Sequence, residues 1–151
     1  DPNLIIKHFE IEDNVVPASN SIMANNLIVL GSLFENSYFT ETAKKMTNHI
    51  LQTIDYASAF SHWLLAFMKT EQSFTEITII GDKAIEYKNK INNFFIPNSI
   101  ISGSKYKSNV PFLKDYSINN TTEIYICTNK NCLKPINSIE EFSNYYKNIN
   151  N

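Results

Sequence analysis

From Ser21 onward the apolar residues fall too densely to make one stripe. Ile22, Met23, Leu27, Ile28, Leu30, Leu33 and Phe34 wrap most of a helical circumference, which predicts a helix buried on more than one side. Asn36-Ser37 breaks this helix and caps the next. Over about 38–53, Ala43, Met46, Ile50 and Ile54 recur at spacings of three and four, a single buried stripe, while Lys44, Lys45, Asn48 and Gln52 take the other faces. A third helical segment, about 56–69, carries Phe60, Trp63, Leu64 and Phe67. Three such helices present more apolar surface than they can cover for one another, so the pattern predicts part of an incomplete helical domain. Residues 1–20, with Pro2 and Pro17, read as an irregular lead-in.

Near residue 75 the period changes. Glu76-Ile77-Thr78-Ile79-Ile80-Gly81 is a short β-branched run ending in Gly, which suits a buried strand. Asp82 is placed to N-cap a helix whose inner face is Ala84, Tyr87, Ile91 and Phe94 and which Pro97 stops. Ser99-Ile100-Ile101 reads as a second strand, parallel to the first through a right-handed crossover. Residues 103–121 are long for a structureless loop, and one helical turn is expected around Pro111–Lys114. Glu123–Cys127 is a third strand. Ser138-Ile139-Glu140-Glu141 matches a capping box opening a last helix, with Ile139, Phe142 and Tyr146 facing inward. The expected class is mixed α/β: a helical part over 1–72, then a small, three-stranded, mostly parallel α/β unit over 73–151.

Composition narrows the functional classes. At 43% hydrophobic and 13% aromatic residues, the chain can pack a core and is not expected to be disordered. A balance of 13 basic to 15 acidic residues gives a formal charge of -2, leaving no basic footprint for nucleic acid or an anionic membrane. Asn is abundant alongside Ile and Lys, as AT-rich coding bias would produce, so Asn is discounted here as a turn signal. No apolar run approaches the ~20 residues of a membrane span. A start at Asp1-Pro2 without a signal peptide points to an excised fragment, and two cysteines are too few for a secreted disulfide framework. A cytoplasmic location is expected, and the Asn-x-Thr matches at Asn119 and Asn120 are then pattern only.

The candidate chemistry is sparse. Cys127 and Cys132 are the only cysteines. A metal needs about four ligands, and His8, His49 and His62 lack ligand spacing, so neither metal nor cofactor is expected. A redox role requires a thiol of lowered pKa, and Lys130 is the nearby cation. The structural alternative buries Cys127 at a strand end and lets Cys132 pin the following turn. Gly81-Asp82 stands where a strand gives way to a helix, the edge along which open α/β sheets bind ligands. A single Gly is not a phosphate loop, however, and the Asp82 carboxylate would repel a phosphate.

Four patterns in order resemble one family. Asp13-Asn14-Val15-Val16-Pro17-Ala18-Ser19-Asn20-Ser21 is similar to its "DGAxPSGNS" stretch, differing at Asn14, Ala18 and Ser19. Ile77–Asp82 is similar to its "VVIVGD" strand, and Phe95-Ile96-Pro97-Asn98 to its "YLPN". Ile124–Cys127 with Cys132–Ile136 is similar to its "AYVCxxxxCxxPV". The family is the thioredoxin domain-containing proteins of the YyaL and spermatogenesis-associated protein 20 type. The resemblance implies a parent with a thioredoxin-like domain, a six-hairpin helical toroid like that of glycosidases and sugar epimerases, and a C-terminal α/β tail. It places this chain at the end of that parent, with the upstream domains as its partners and the exposed helices open to self-association. The thioredoxin Cys-x-x-Cys motif is absent, so no redox activity carries over. In a toroid the loop with Glu12, Asp13, Asn20 and Ser21 would face a central cavity of the kind in which glycosidases set paired carboxylates. Asp13 and His62 are then the catalytic candidates and Asn20, Ser21 and Trp63 the ligand-binding ones, with Asp82 a separate ligand-binding candidate at the sheet edge. The plainer reading is that Asp13, Asn20 and Ser21 cap helices and pin the loop, while Trp63 packs in a core.

Overall fold

The computed structural model describes residues 9–72, 74–116, 121–128 and 131–149. The first eight residues, including His8, and Asn119, Asn120 and Lys130 lie outside the described residues. The chain divides into two compact units, Asp1–Glu71 and Gln72–Asn151.

The first unit is helical: α1 (Ser19–Leu33), α2 (Ser37–Leu51) and α3 (Ser61–Glu71), the last entered through a 3-10 turn at Ala57–Phe60. Helix α1 ends as its terminal carbonyls fold back. The Asn36 N–H donates to the Gly31 carbonyl at 2.9 Å, and Glu35 adopts a left-handed φ of 50°. The Asn36 side chain then accepts from the Tyr38 N–H and caps α2, as expected of Asn36-Ser37. The turn brings α2 hard against α1, and a Cβ on Gly31 would lie 2.5 Å from Thr40 Cγ2. The predicted stripe faces inward: Ala43 and Ile50 are buried, and Met46 and Ile54 pack on a core of Ala24, Ile28, Phe60, Trp63 and Ala66.

The second unit is an open sheet with helices. Its strands are β1 (Thr75–Ile80), β2 (Ser99–Ser104), β3 (Glu123–Thr128) and β4 (Asn131–Cys132), in the order β2-β1-β3-β4. The sheet is therefore four-stranded and mixed, not three-stranded and mostly parallel. Only β1 and β2 run parallel; β3 returns antiparallel on the other side of β1 and folds back as a hairpin into β4. The 18 residues between β2 and β3 leave the chain free to approach β1 from either end, so the strand pattern alone did not fix that direction. That connection contains one helical turn, α5 (Pro111–Lys114), where it was expected.

Period-two alternation gives the sheet two faces. On one, Ile77, Ile79, Ile124 and Ile126 pack against helices α4 (Ala84–Ile91) and α6 (Ile139–Ile149), through Ala84, Ile91 and Phe142. Phe94 meets Phe142 edge-on at 5.5 Å and Tyr146 at 5.4 Å, and the Tyr146 hydroxyl donates to the Phe95 carbonyl. Helix α6 opens on the predicted capping box. The Ser138 hydroxyl accepts from the Glu141 N–H at 3.1 Å, and the Glu141 carboxylate accepts from Asn137 N–H at 3.2 Å. The register puts Thr78, Ile80, Ser102, Tyr125 and Cys127 on the opposite face.

Candidate functional site

Asp13 and His62 are brought together, but not as an acid–base pair. Asp13 is buried. One carboxylate oxygen accepts from the Ala18 N–H at 2.9 Å and the Ser21 hydroxyl at 2.6 Å. The other accepts from the His62 backbone N–H at 2.8 Å. The Asp13 N–H in turn donates to the Ala59 carbonyl at 2.6 Å. One side chain thus serves two helix starts: the front of α1, whose N-cap Ala18 has no side-chain acceptor, and the front of α3, 49 residues away. Burial pushes the carboxyl up. Hydrogen bonds from Ser21, then from the Ala18, His62 and Trp63 backbone, outweigh it and hold the group below the usual aspartate value. A carboxylate engaged in this way is a structural anion stabilised by helix N-termini.

The remaining candidates of this unit also have structural partners. The Asn20 side-chain amide donates to the Glu10 carbonyl at 2.9 Å. The Trp63 indole is 2% exposed and its N–H donates to the Ile11 carbonyl at 2.7 Å. Its ring lies in the helical core and offers no stacking face, because positions 63 and 66 of α3 turn inward together. The imidazole of half-buried His62 sits 3.5 Å from the side-chain nitrogen of Asn25, a residue the sequence reading did not single out. Buried Asn25 donates to the Ser21 and His62 carbonyls, at 3.0 and 2.9 Å, and accepts from the Lys69 ammonium at 2.9 Å. Burial pushes the Lys69 amine down.

The Asp82 side chain does not cap α4, whose N-cap position is Lys83; it is 81% exposed and pairs with Lys105 at 3.2 Å. The oxygen at the front of α4 comes instead from Thr122, whose hydroxyl accepts from the Lys83 N–H at 2.9 Å. Gly81 turns the chain at φ +126°, with Thr122 so close that a Cβ would lie 2.8 Å from its Cα. That approach brings Thr122 in and turns Asp82 out.

The cysteines are directly opposite one another on β3 and β4, joined as a disulfide with Cα atoms 3.9 Å apart. Cys127 is 2% exposed, whereas Cys132 is exposed on the two-residue edge strand. The bridge spans five positions, so short a loop that its entropic contribution is about 2 kcal/mol, the low end for disulfides. The Tyr116 hydroxyl lies 3.5 Å from Cys127 Sγ. A disulfide sulfur carries no proton, so the phenol is the donor. The Tyr116 ring lies 4.5 Å from that of Tyr125, and on the same face the Thr78 hydroxyl is 3.4 Å from that of Ser102. Burial pushes the Tyr116 phenol up. Burial and the Glu123 carboxylate, 2.6 Å from its hydroxyl, push Tyr125 up to about 12. The hydroxyls of Ser102 and Thr78 therefore lie on the second sheet face, and that of Tyr116 ends on the buried sulfur. Period-two spacing puts Thr78 and Ser102 on that face, but nothing local in the sequence directs Tyr116 onto it.

A cavity of about 90 Å³ lies by the start of β1, lined by Ile77, Ile96, Ile126, Phe142, Tyr145 and Tyr146 among others. It holds no charged group. Among the described residues no three His, Cys, Asp or Glu side chains stand close enough to hold a metal ion, and no helix is long and apolar enough to cross a membrane. Comparison with known protein families, with curated proteins and with solved structures returns no match to this chain.

Proposed function

We propose that this chain is a non-catalytic structural region of a larger, cytoplasmic, thioredoxin domain-containing protein, in which its three helices complete a helical toroid and its α/β unit forms the tail. One observation carries the reading. Helix α1 is apolar around most of its circumference, yet α2 and α3 cover only part of it. Ile22, Met23 and Leu30 remain exposed on α1 and Phe34 at its C-cap, as do Leu65 and Met68 on α3. Large apolar residues grouped on helix faces are what a docking neighbour covers, and the upstream domains of the same polypeptide are the neighbours this reading supplies. The rival reading, an enzymatic rim at Asp13 and His62, has less support, because both carboxylate oxygens of Asp13 are engaged, by helix starts and a buried hydroxyl.

Deleting this region from the parent protein is the test. A melting temperature lowered by several degrees is expected, and polar substitution of Leu65 and Met68 together should reproduce part of the loss. An unchanged melting temperature on deletion refutes the proposal.

A further inference from the structure

We infer that Cys127 and Cys132 form a reversible dithiol–disulfide couple, open to exchange with a small-molecule or protein dithiol at Cys132 and assisted at Cys127 by the Tyr116 hydroxyl. The inference is independent of the reading of the helices above. Three observations carry it.

Access is one-sided. Strand β4 is the sheet's edge and Cys132 is exposed on it, while Cys127 is sealed beneath the second face. An incoming thiolate therefore reaches Cys132 Sγ. The two sulfurs are also held opposite one another by more than their bond. Cys127 pairs with Cys132 and Thr128 with Asn131 in the ladder. Beyond them the Leu133 N–H donates to the Ile126 carbonyl at 2.9 Å, and Ile124 and Ile136 exchange two backbone hydrogen bonds at 2.7 and 2.9 Å. Breaking the bridge leaves this register standing, so the thiols stay within reach for re-oxidation. Finally, the buried sulfur has a donor in reach. The Tyr116 phenol, packed on Tyr125, places its hydroxyl 3.5 Å from Cys127 Sγ, the sulfur that must take up charge when Cys132 is attacked.

The exchange balances as follows. A thiolate of the dithiol forms a bond to Cys132 Sγ, the Cys127–Cys132 bond breaks, and its electron pair goes to Cys127 Sγ. The Tyr116 hydroxyl donates a hydrogen bond to that thiolate, which then takes a proton from water. The second thiolate of the reductant attacks its partner sulfur in the mixed disulfide and expels the Cys132 thiolate, which is protonated in turn. Two electrons and two protons pass to the cysteines, and the dithiol leaves as a disulfide. Leaving-group stabilisation speeds this step, because a sulfur whose thiolate is stabilised departs faster.

The test uses the whole chain under native conditions. Glutathione is expected to form its mixed disulfide at Cys132, as mapped by mass spectrometry, and dithiothreitol to reduce the pair without loss of the far-ultraviolet circular dichroism. Tyr116→Phe is expected to slow reduction by about tenfold, the scale of one hydrogen bond to a charged group. In a Cys132→Ser chain it should raise the pH at which the Cys127 thiolate forms, read from its ultraviolet absorbance, a readout that loss of packing alone would not shift upward. An adduct at Cys127, or reduction only in denaturant, overturns the inference even if the Tyr116 variant fails to fold. An unchanged rate and thiolate titration in a folded Tyr116→Phe protein removes the assisting role and overturns it as stated.

Discussion

Replacing Asp13 by Asn tests whether one carboxylate ties the two ends of the helical unit. The substitution keeps shape and removes charge. With the Asn oxygen placed to keep the Ala18 and Ser21 bonds, its NH2 group must face the His62 N–H, donor against donor. The loss is one charge-assisted hydrogen bond with its partner left unpaired, about 2–3 kcal/mol, plus up to ~1 kcal/mol of helix-terminus electrostatics. The assay is built in. Trp63 is the only tryptophan and lies in the core of this unit, so its fluorescence during urea unfolding follows the helices alone. At a slope of about 1 kcal/mol per molar, the midpoint should fall by about 3 M. Acid gives a second readout. The folded Asp13 pKa is depressed from the ordinary 3.8, so its stabilisation is complete above that value and is lost as pH falls through the folded pKa. Asp13→Asn should flatten that acid limb. A variant within ~0.5 kcal/mol of the parent, or one with an unaltered acid limb, would refute the assignment.

Two glycines give further predictions. Gly31→Ala should destabilise the helical unit by about 1–3 kcal/mol through overpacking, since the new Cβ meets Thr40 Cγ2 at 2.5 Å; Thr40→Ser in the same chain should recover part of the loss, and no recovery on the Trp63 fluorescence transition would place the clash elsewhere. Gly81→Ala combines a positive φ with a close approach to Thr122 backbone, so a loss of about 2 kcal/mol or more is expected in the α/β unit. Tyrosine near-ultraviolet dichroism should reveal it, and a wild-type transition would contradict the turn described here.

Much of the fold was legible because burial leaves a period. The inward residues of α2 and α4, the β-branched runs of β1 and β3, and the Ser138–Glu141 box are local signals, and each appears where its spacing placed it. What escaped was non-local or too short to repeat. Strand β4 is two residues long and has no period to read. The direction of β3 depends on how a long connection travels. The Asp82 cap followed from neighbours alone, but Thr122, 39 residues beyond Lys83, supplies the oxygen at the α4 front. Asp13 read correctly as a loop-pinning residue, while its second helix, at His62, could not be seen from spacing. The meeting of the Tyr116 hydroxyl with Cys127 likewise needs a loop and a strand to be brought together before it exists.

The sheet order has a consequence for biosynthesis. Strand β1 is first of the four to leave the ribosome, yet it belongs in the middle, between a neighbour some twenty residues later and another nearly fifty later. Until β3 emerges, Ile77, Ile79 and Ile80 stand in a strand with at least one unpaired margin, the kind of segment that recruits foreign strands. A ribosome stalled before residue 123 would therefore hold a sticky nascent chain, and holdase chaperones should bind it more strongly than one stalled after the hairpin is complete.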